Sequence, residues 1–141
     1  VQLSGLFGDR FALTIVDYEF AGDAVKRGDA DWLMIRIEVT SDGRTWHDQD
    51  PSLDTWEVES IIQWLEAVAD GEVPEGSELG FTEPNHRFVF CGSVENRFYL
   101  RVFQDDDYTW VNLHPTRSEI RQAACDLRSQ LDRFPSRLET E

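Results

Sequence analysis

The 141-residue sequence predicts an α+β domain, an antiparallel β-sheet with two α-helices packed against it. Three observations predict it. Apolar residues alternate with polar ones over several short segments, the period of half-buried strands. Two other segments carry apolar stripes at helical spacing, each behind a capping-box pattern. The connections between strands are short and rich in turn residues, which suits antiparallel pairing. One domain is expected over residues 1–141, with an ordered core over about 11–135.

The elements follow in order. Phe11, Leu13 and Ile15 alternate with Ala12, Thr14 and Val16, giving a strand through about Tyr18. Residues 19–31 are polar and read as a loop. Trp32 to Thr40 is the clearest strand, with Leu33, Ile35, Ile37 and Val39 on one face. Asp42-Gly43 turns the chain, and Arg44 to His47 reads as a short returning strand. The first helix follows Pro51, with Asp54 as its cap, Glu57 completing the box, and Gly71 ending it in a left-handed position. Val58, Ile61, Ile62, Leu65, Val68 and Ala69 form its stripe. A short strand over Leu79 to Thr82 precedes a hairpin of His86–Gly92 and Arg97–Gln104, and a last strand runs from Tyr108 to Leu113. Thr116 and Glu119 open the second helix, striped by Ile120, Ala124, Leu127 and Leu131 and ending near Phe134-Pro135.

Charge carries the main functional information. The chain has 28 acidic and 13 basic residues, a formal net charge of −15. Phosphate binding requires basic residues, so nucleic acid is excluded as a direct partner, and an anionic membrane surface is disfavoured for the same reason. With 40% hydrophobic residues and five Trp, the chain is not a disordered acidic tail. The excess is concentrated in residues 42–83, which hold twelve acids and only Arg44, whereas residues 115–141 balance five of each sign. Glu57, Glu59, Glu66 and Asp70 lie off the apolar stripe of the first helix and are expected to form an acidic outer surface. Asp105, Asp106 and Asp107 form a second acidic cluster at a turn, next to Tyr108 and Trp110. Tyr and Trp are residues that carry interface energy, so both regions are expected to contact a basic protein partner.

Sites for chemistry are sparse. His47, His86 and His114 share no metal-ligand spacing, and His47 with Asp48 and Asp50 reads as an exposed turn before it reads as a cation site. No nucleophile elbow, Walker loop or dinucleotide fingerprint occurs. Asp105–Asp107 lacks the ligand pattern of a calcium loop. No cofactor, no metal and no enzymatic activity are therefore expected. An alternative is a small-ligand or cation-binding regulatory domain with an aromatic pocket near Trp32, Trp46 and Trp110. A third is an enzyme using Glu83 with a histidine, which requires the two in one cleft. Cys91 and Cys125 read as two buried free thiols. No apolar run approaches about 18 residues and no signal-peptide pattern opens the chain, so a cytoplasmic protein is expected.

A series of landmarks adds to this. They are Asp31-Trp32-Leu33, then Trp46 and Asp50-Pro51, then Leu53-x-Thr55-x-Glu57 and Trp64-Leu65. Phe81-Thr82-Glu83-Pro84-Asn85-x-Arg87-Phe88 and Phe134-Pro135-x-Arg137 complete it. Their order resembles that of the WapI-type immunity proteins, a bacterial family, over about residues 11–137. The resemblance implies a cytoplasmic antidote that binds the C-terminal domain of a contact-dependent toxin, in the type case a nuclease acting on tRNA. It implies no catalytic residues. The charged 19–31 loop and the Asp105–Asp107 run depart from the family pattern.

Overall fold

The computed structural model describes residues 1–19, 31–81, 86–104 and 109–137. The element order is β1 (Gln2–Ser4), β2 (Arg10–Tyr18), β3 (Trp32–Ser41), β4 (Arg44–Asp54), α1 (Thr55–Ala69), β5 (Glu78–Leu79), β6 (His86–Val94), β7 (Arg97–Gln104), β8 (Trp110–Leu113) and α2 (Arg117–Leu131). The expected α+β class is what forms, with helices packing on antiparallel sheets. The strands divide into two four-stranded sheets, β1-β2-β3-β4 and β5-β6-β7-β8. The division falls at α1, which interrupts the run of hairpin-like connections, so each run of four builds its own sheet.

Leu33, Ile35, Ile37 and Val39 of β3 are all buried, as their alternation requires. They share one core with Phe11, Leu13 and Ile15 of β2, with Phe88, Phe98, Leu100, Val102, Val111 and Leu113 of the second sheet, and with both helix stripes. Aromatic contacts join the layers. Phe88 meets Phe11 edge-on at 5.7 Å and lies 6.1 Å from Trp64 of α1. The inner face of the second sheet therefore carries α1.

Both helices start as their capping boxes dictate. Asp54 accepts from the Glu57 N–H at 2.8 Å, and Glu57 accepts from the Asp54 N–H at 3.3 Å. Thr116 and Glu119 make the same reciprocal pair on α2. At the other end of α1, Gly71 has φ +75 and donates to the Val68 carbonyl, while the Glu72 N–H reaches back to Ala67. This is the left-handed helix stop that Gly71 predicts.

Two strands depart from expectation. β1 lies outside the alternating stretch that marks β2. β4 runs eleven residues to Asp54, well past His47. Its sequence shows no alternation, because from Arg44 to Asp50 every residue except the half-buried Trp46 is exposed. Pro51 is accommodated at a bulge opposite β3, where register shifts between Leu33 and Ile35. Cys91 and Cys125 are free, as expected, but both are exposed rather than buried.

Candidate partner-binding surfaces

The acidic face expected on the first helix is largely clasped by the second. α2 runs antiparallel to α1, and its arginines reach across at three levels. Arg128 makes a two-pronged ion pair with Glu59, with Nη2 donating to Oε1 at 2.7 Å and Nη1 donating to Oε2. That hydrogen-bonded guanidinium holds the Glu59 carboxyl below the usual carboxylate range, and Glu59 in turn raises Arg128. Arg121 pairs with Asp70 at 3.0 Å. Arg117 Nε donates to the Ala69 carbonyl at 2.8 Å, satisfying a helix-end acceptor where the α1 dipole is negative.

Glu57 corrects the expectation outright. It is buried, and its carboxylate belongs to the capping box. The period of a helix marks Glu57 as off the stripe, but the first turn is covered by neighbouring chain. Of the four expected acids on α1, only Glu66 is exposed without an ion pair among the described residues.

The second expected region lies elsewhere. Asp105, Asp106, Asp107 and Tyr108 fall outside the described residues. Trp110 is 39% exposed on the outer face of the second sheet. There Arg101 stacks over its ring at 4.9 Å while donating to Asn112 Oδ1, and Arg87 stacks over Phe103 at 4.1 Å. Phe103 and Trp110 are 5.7 Å apart. This layer of rings and guanidinium groups lies across the second sheet from α1. The helix-one residues and Trp110 thus belong to two separate surfaces.

An open groove of about 510 Å³ lies between the start of α1 and the end of α2. Trp56, 76% exposed, forms one wall, and Leu131, Phe134 and Pro135 form another. Most of its carboxylates are already engaged. Asp31, Asp54 and Glu59 hold hydrogen-bond donors of the chain itself. Asp31 accepts from Thr55 Oγ1 at 3.0 Å, from the Ser136 hydroxyl, and from the Arg137 N–H at 2.6 Å. Arg137 then lies over the Tyr18 ring at 3.7 Å, and the Tyr18 hydroxyl donates to the Pro135 carbonyl at 2.7 Å. Burial pushes the Tyr18 phenol above its ordinary value. Three landmarks of the sequence, around Asp31, Thr55 and Phe134–Arg137, are therefore one structural clasp that fixes the chain after α2 against the start of α1.

Exposed acids of the block without an ion pair among the described residues stand at Asp42, Glu66, Glu72, Glu75 and Glu78, and two more share one side of β4. Asp48 stands opposite Ile37 and Asp50 opposite Ile35, on the core-facing side of the strand, yet both are exposed. Neither has an ion-pair partner among the described residues. The same side of β4 is tied to the second sheet at two points: Trp46 Nε1 donates to Gln104 Oε1 at 2.9 Å, and Ser52 Oγ lies 3.3 Å from His86 Nε2. His47 points to the opposite face from Asp48 and Asp50, so strand alternation separates the three groups of the possible cation site. Trp32 pairs with Asp54 and Trp46 with Val39, at opposite ends of the β3–β4 ladder and roughly 25 Å apart along the strand. With Trp110 on the outer face of the other sheet, these rings do not line one pocket. Glu83 is outside the described residues, and among the described residues no group of His, Cys, Asp and Glu is arranged to hold a metal.

Comparison with known families decides the affiliation. A family model described as the immunity protein WapI-like family matches residues 2–135. The chain belongs to that family. No curated protein and no solved structure matches it significantly. Membership in the WapI-like family points to toxin immunity and to a toxin as partner, and immunity proteins of this kind are generally non-enzymatic. No helix of the described residues is long and apolar enough to cross a membrane.

Proposed function

We propose that this WapI-like protein binds and neutralises the basic C-terminal nuclease domain of a contact-dependent bacterial toxin, acting in the cytoplasm and without catalysis of its own. Family membership supports the toxin; the charge supports its basic character. A nuclease surface that holds RNA must be basic, and a protein that covers it gains from the opposite sign. The observation that carries this reading is the exposed carboxylate row of β4, Asp48 and Asp50, which no arginine among the described residues neutralises. The partner-facing charge is accordingly assigned to β4 first. Glu66 and Asp70 on α1, Trp110, and the Asp105–Tyr108 run are at most secondary contacts, and Glu57 and Glu59 serve the fold. Long-range attraction of this kind speeds association and weakens steeply with salt. The test is co-expression with the C-terminal domain of a cognate contact-dependent toxin. The expected result is restored growth and a co-purifying complex whose association rate falls with added salt. Undiminished toxicity with no complex contradicts it.

A further inference from the structure

The open edge of β4 offers a mode of binding, and the inference rests on the immunity reading above. β4 is the last strand of its sheet, and it joins β3 through the two-residue turn Asp42-Gly43. Both turn residues have positive φ, +52 and +76, the geometry of a type I′ hairpin. In such a hairpin the flanking pair, Ser41 and Arg44, exchanges both backbone hydrogen bonds, and hydrogen-bonded pairs then alternate along the ladder. Arg44, Trp46, Asp48 and Asp50 therefore direct their backbone groups toward β3. Thr45, His47 and Gln49 direct theirs outward. All three are exposed, and their outward N–H and C=O groups have no partner among the described residues. An unpaired edge of this length is a template for another strand.

We propose that this edge receives an extended, basic segment of the toxin domain, which adds to the first sheet as a fifth strand. Thr45, His47 and Gln49 supply the main-chain bonds. Asp48 and Asp50 supply the selection: a docked strand places its side chains about 5 Å from theirs on the same face, where alternating Lys or Arg would meet two unpaired carboxylates. The same two carboxylates repel the edge of a second acidic copy, so the edge is guarded against self-association while open to a basic strand. The Asp42-Gly43 turn and the bulge at Pro51 bound the site at either end, and Trp46 within it is fixed by Gln104.

Amide hydrogen exchange of the chain, alone and bound to a catalytically silenced cognate toxin domain, tests this. The expected result is that the amides of Thr45, His47 and Gln49 exchange freely in the isolated protein and slow at least about 100-fold in the complex. A second measurement uses His47→Pro, which removes an outward N–H and leaves the β3 ladder intact. It should keep the native melting temperature and weaken binding about tenfold or more. A complex that forms without protection of these amides overturns strand addition and leaves the immunity reading standing. Failure to form any complex overturns both.

Discussion

The helix pair and the edge strand draw on the same acidic stretch of sequence and end in opposite states. On α1, Glu59 and Asp70 are matched by Arg128 and Arg121, and Glu57 is buried as a cap. On β4, Asp48 and Asp50 stay exposed and unmatched among the described residues. The difference lies in what packs alongside. α1 has an antiparallel neighbour rich in arginine, while β4 has β3 on one side and, among the described residues, no strand on the other. A segment with zero net charge, residues 115–141, turns out to spend three of its five arginines on the segment with the largest deficit. Net charge along a chain therefore does not become charge on a face until the neighbours are known.

The row that joins β3 to β4 gives the largest expected effect. Ile35 and Asp50 are direct cross-strand partners on one face, one buried and one exposed. Ile35→Asp places a lone carboxylate in the core and should abolish cooperative folding, a loss above about 4 kcal/mol. Asp50→Lys, one strand outward, should change stability by no more than about 0.5 kcal/mol in urea unfolding. Equal effects at the two positions would erase the distinction between core row and edge.

The helix pair gives a smaller effect with a definite pH signature. Arg128→Ala should cost about 0.5–1 kcal/mol near neutral pH, since both partners of the Glu59 pair are part-exposed and screened. Glu59 has its folded-state pKa lowered from the ordinary 4.5, so the unfolded chain binds the proton more tightly. The stabilisation is full above about 4.5 and is lost as pH falls through the folded-state value. Urea unfolding of both proteins from pH 7 to pH 3 should show the gap closing at the acid end. A gap that widens on acidification contradicts the assignment.

Much of the fold was legible in the sequence, and most of what was legible concerned folding. The capping boxes at Asp54–Glu57 and Thr116–Glu119 and the stop at Gly71 are local, so local chemistry reveals them. The alternation of β3 marks its buried face because that face really is covered. β4 was legible only as far as His47, because a stretch exposed on both faces, as it is up to Asp50, has no period to read. The same exposure makes it the candidate site, so the feature that hid it is the one that matters. The landmarks at Asp31 and Phe134–Arg137 marked the family correctly, but they act as a clasp about 100 residues apart in sequence, which spacing cannot disclose. Trp110 was legible as an interface-type residue, while its place on the far side of the second sheet from α1 depended on sheet pairing.

If the partner reads β4 and not the helix pair, matched charge reversals separate the two regions. Dissociation constants for a cognate toxin domain should be measured with Asp48→Lys and with Glu66→Lys, two exposed acids without an ion pair among the described residues, one on each region. Asp48→Lys should weaken binding about tenfold or more and flatten its salt dependence, whereas Glu66→Lys should change it by less than about twofold. A loss at Glu66→Lys that equals or exceeds the loss at Asp48→Lys would return the interface to the helix and rule out β4 as its centre.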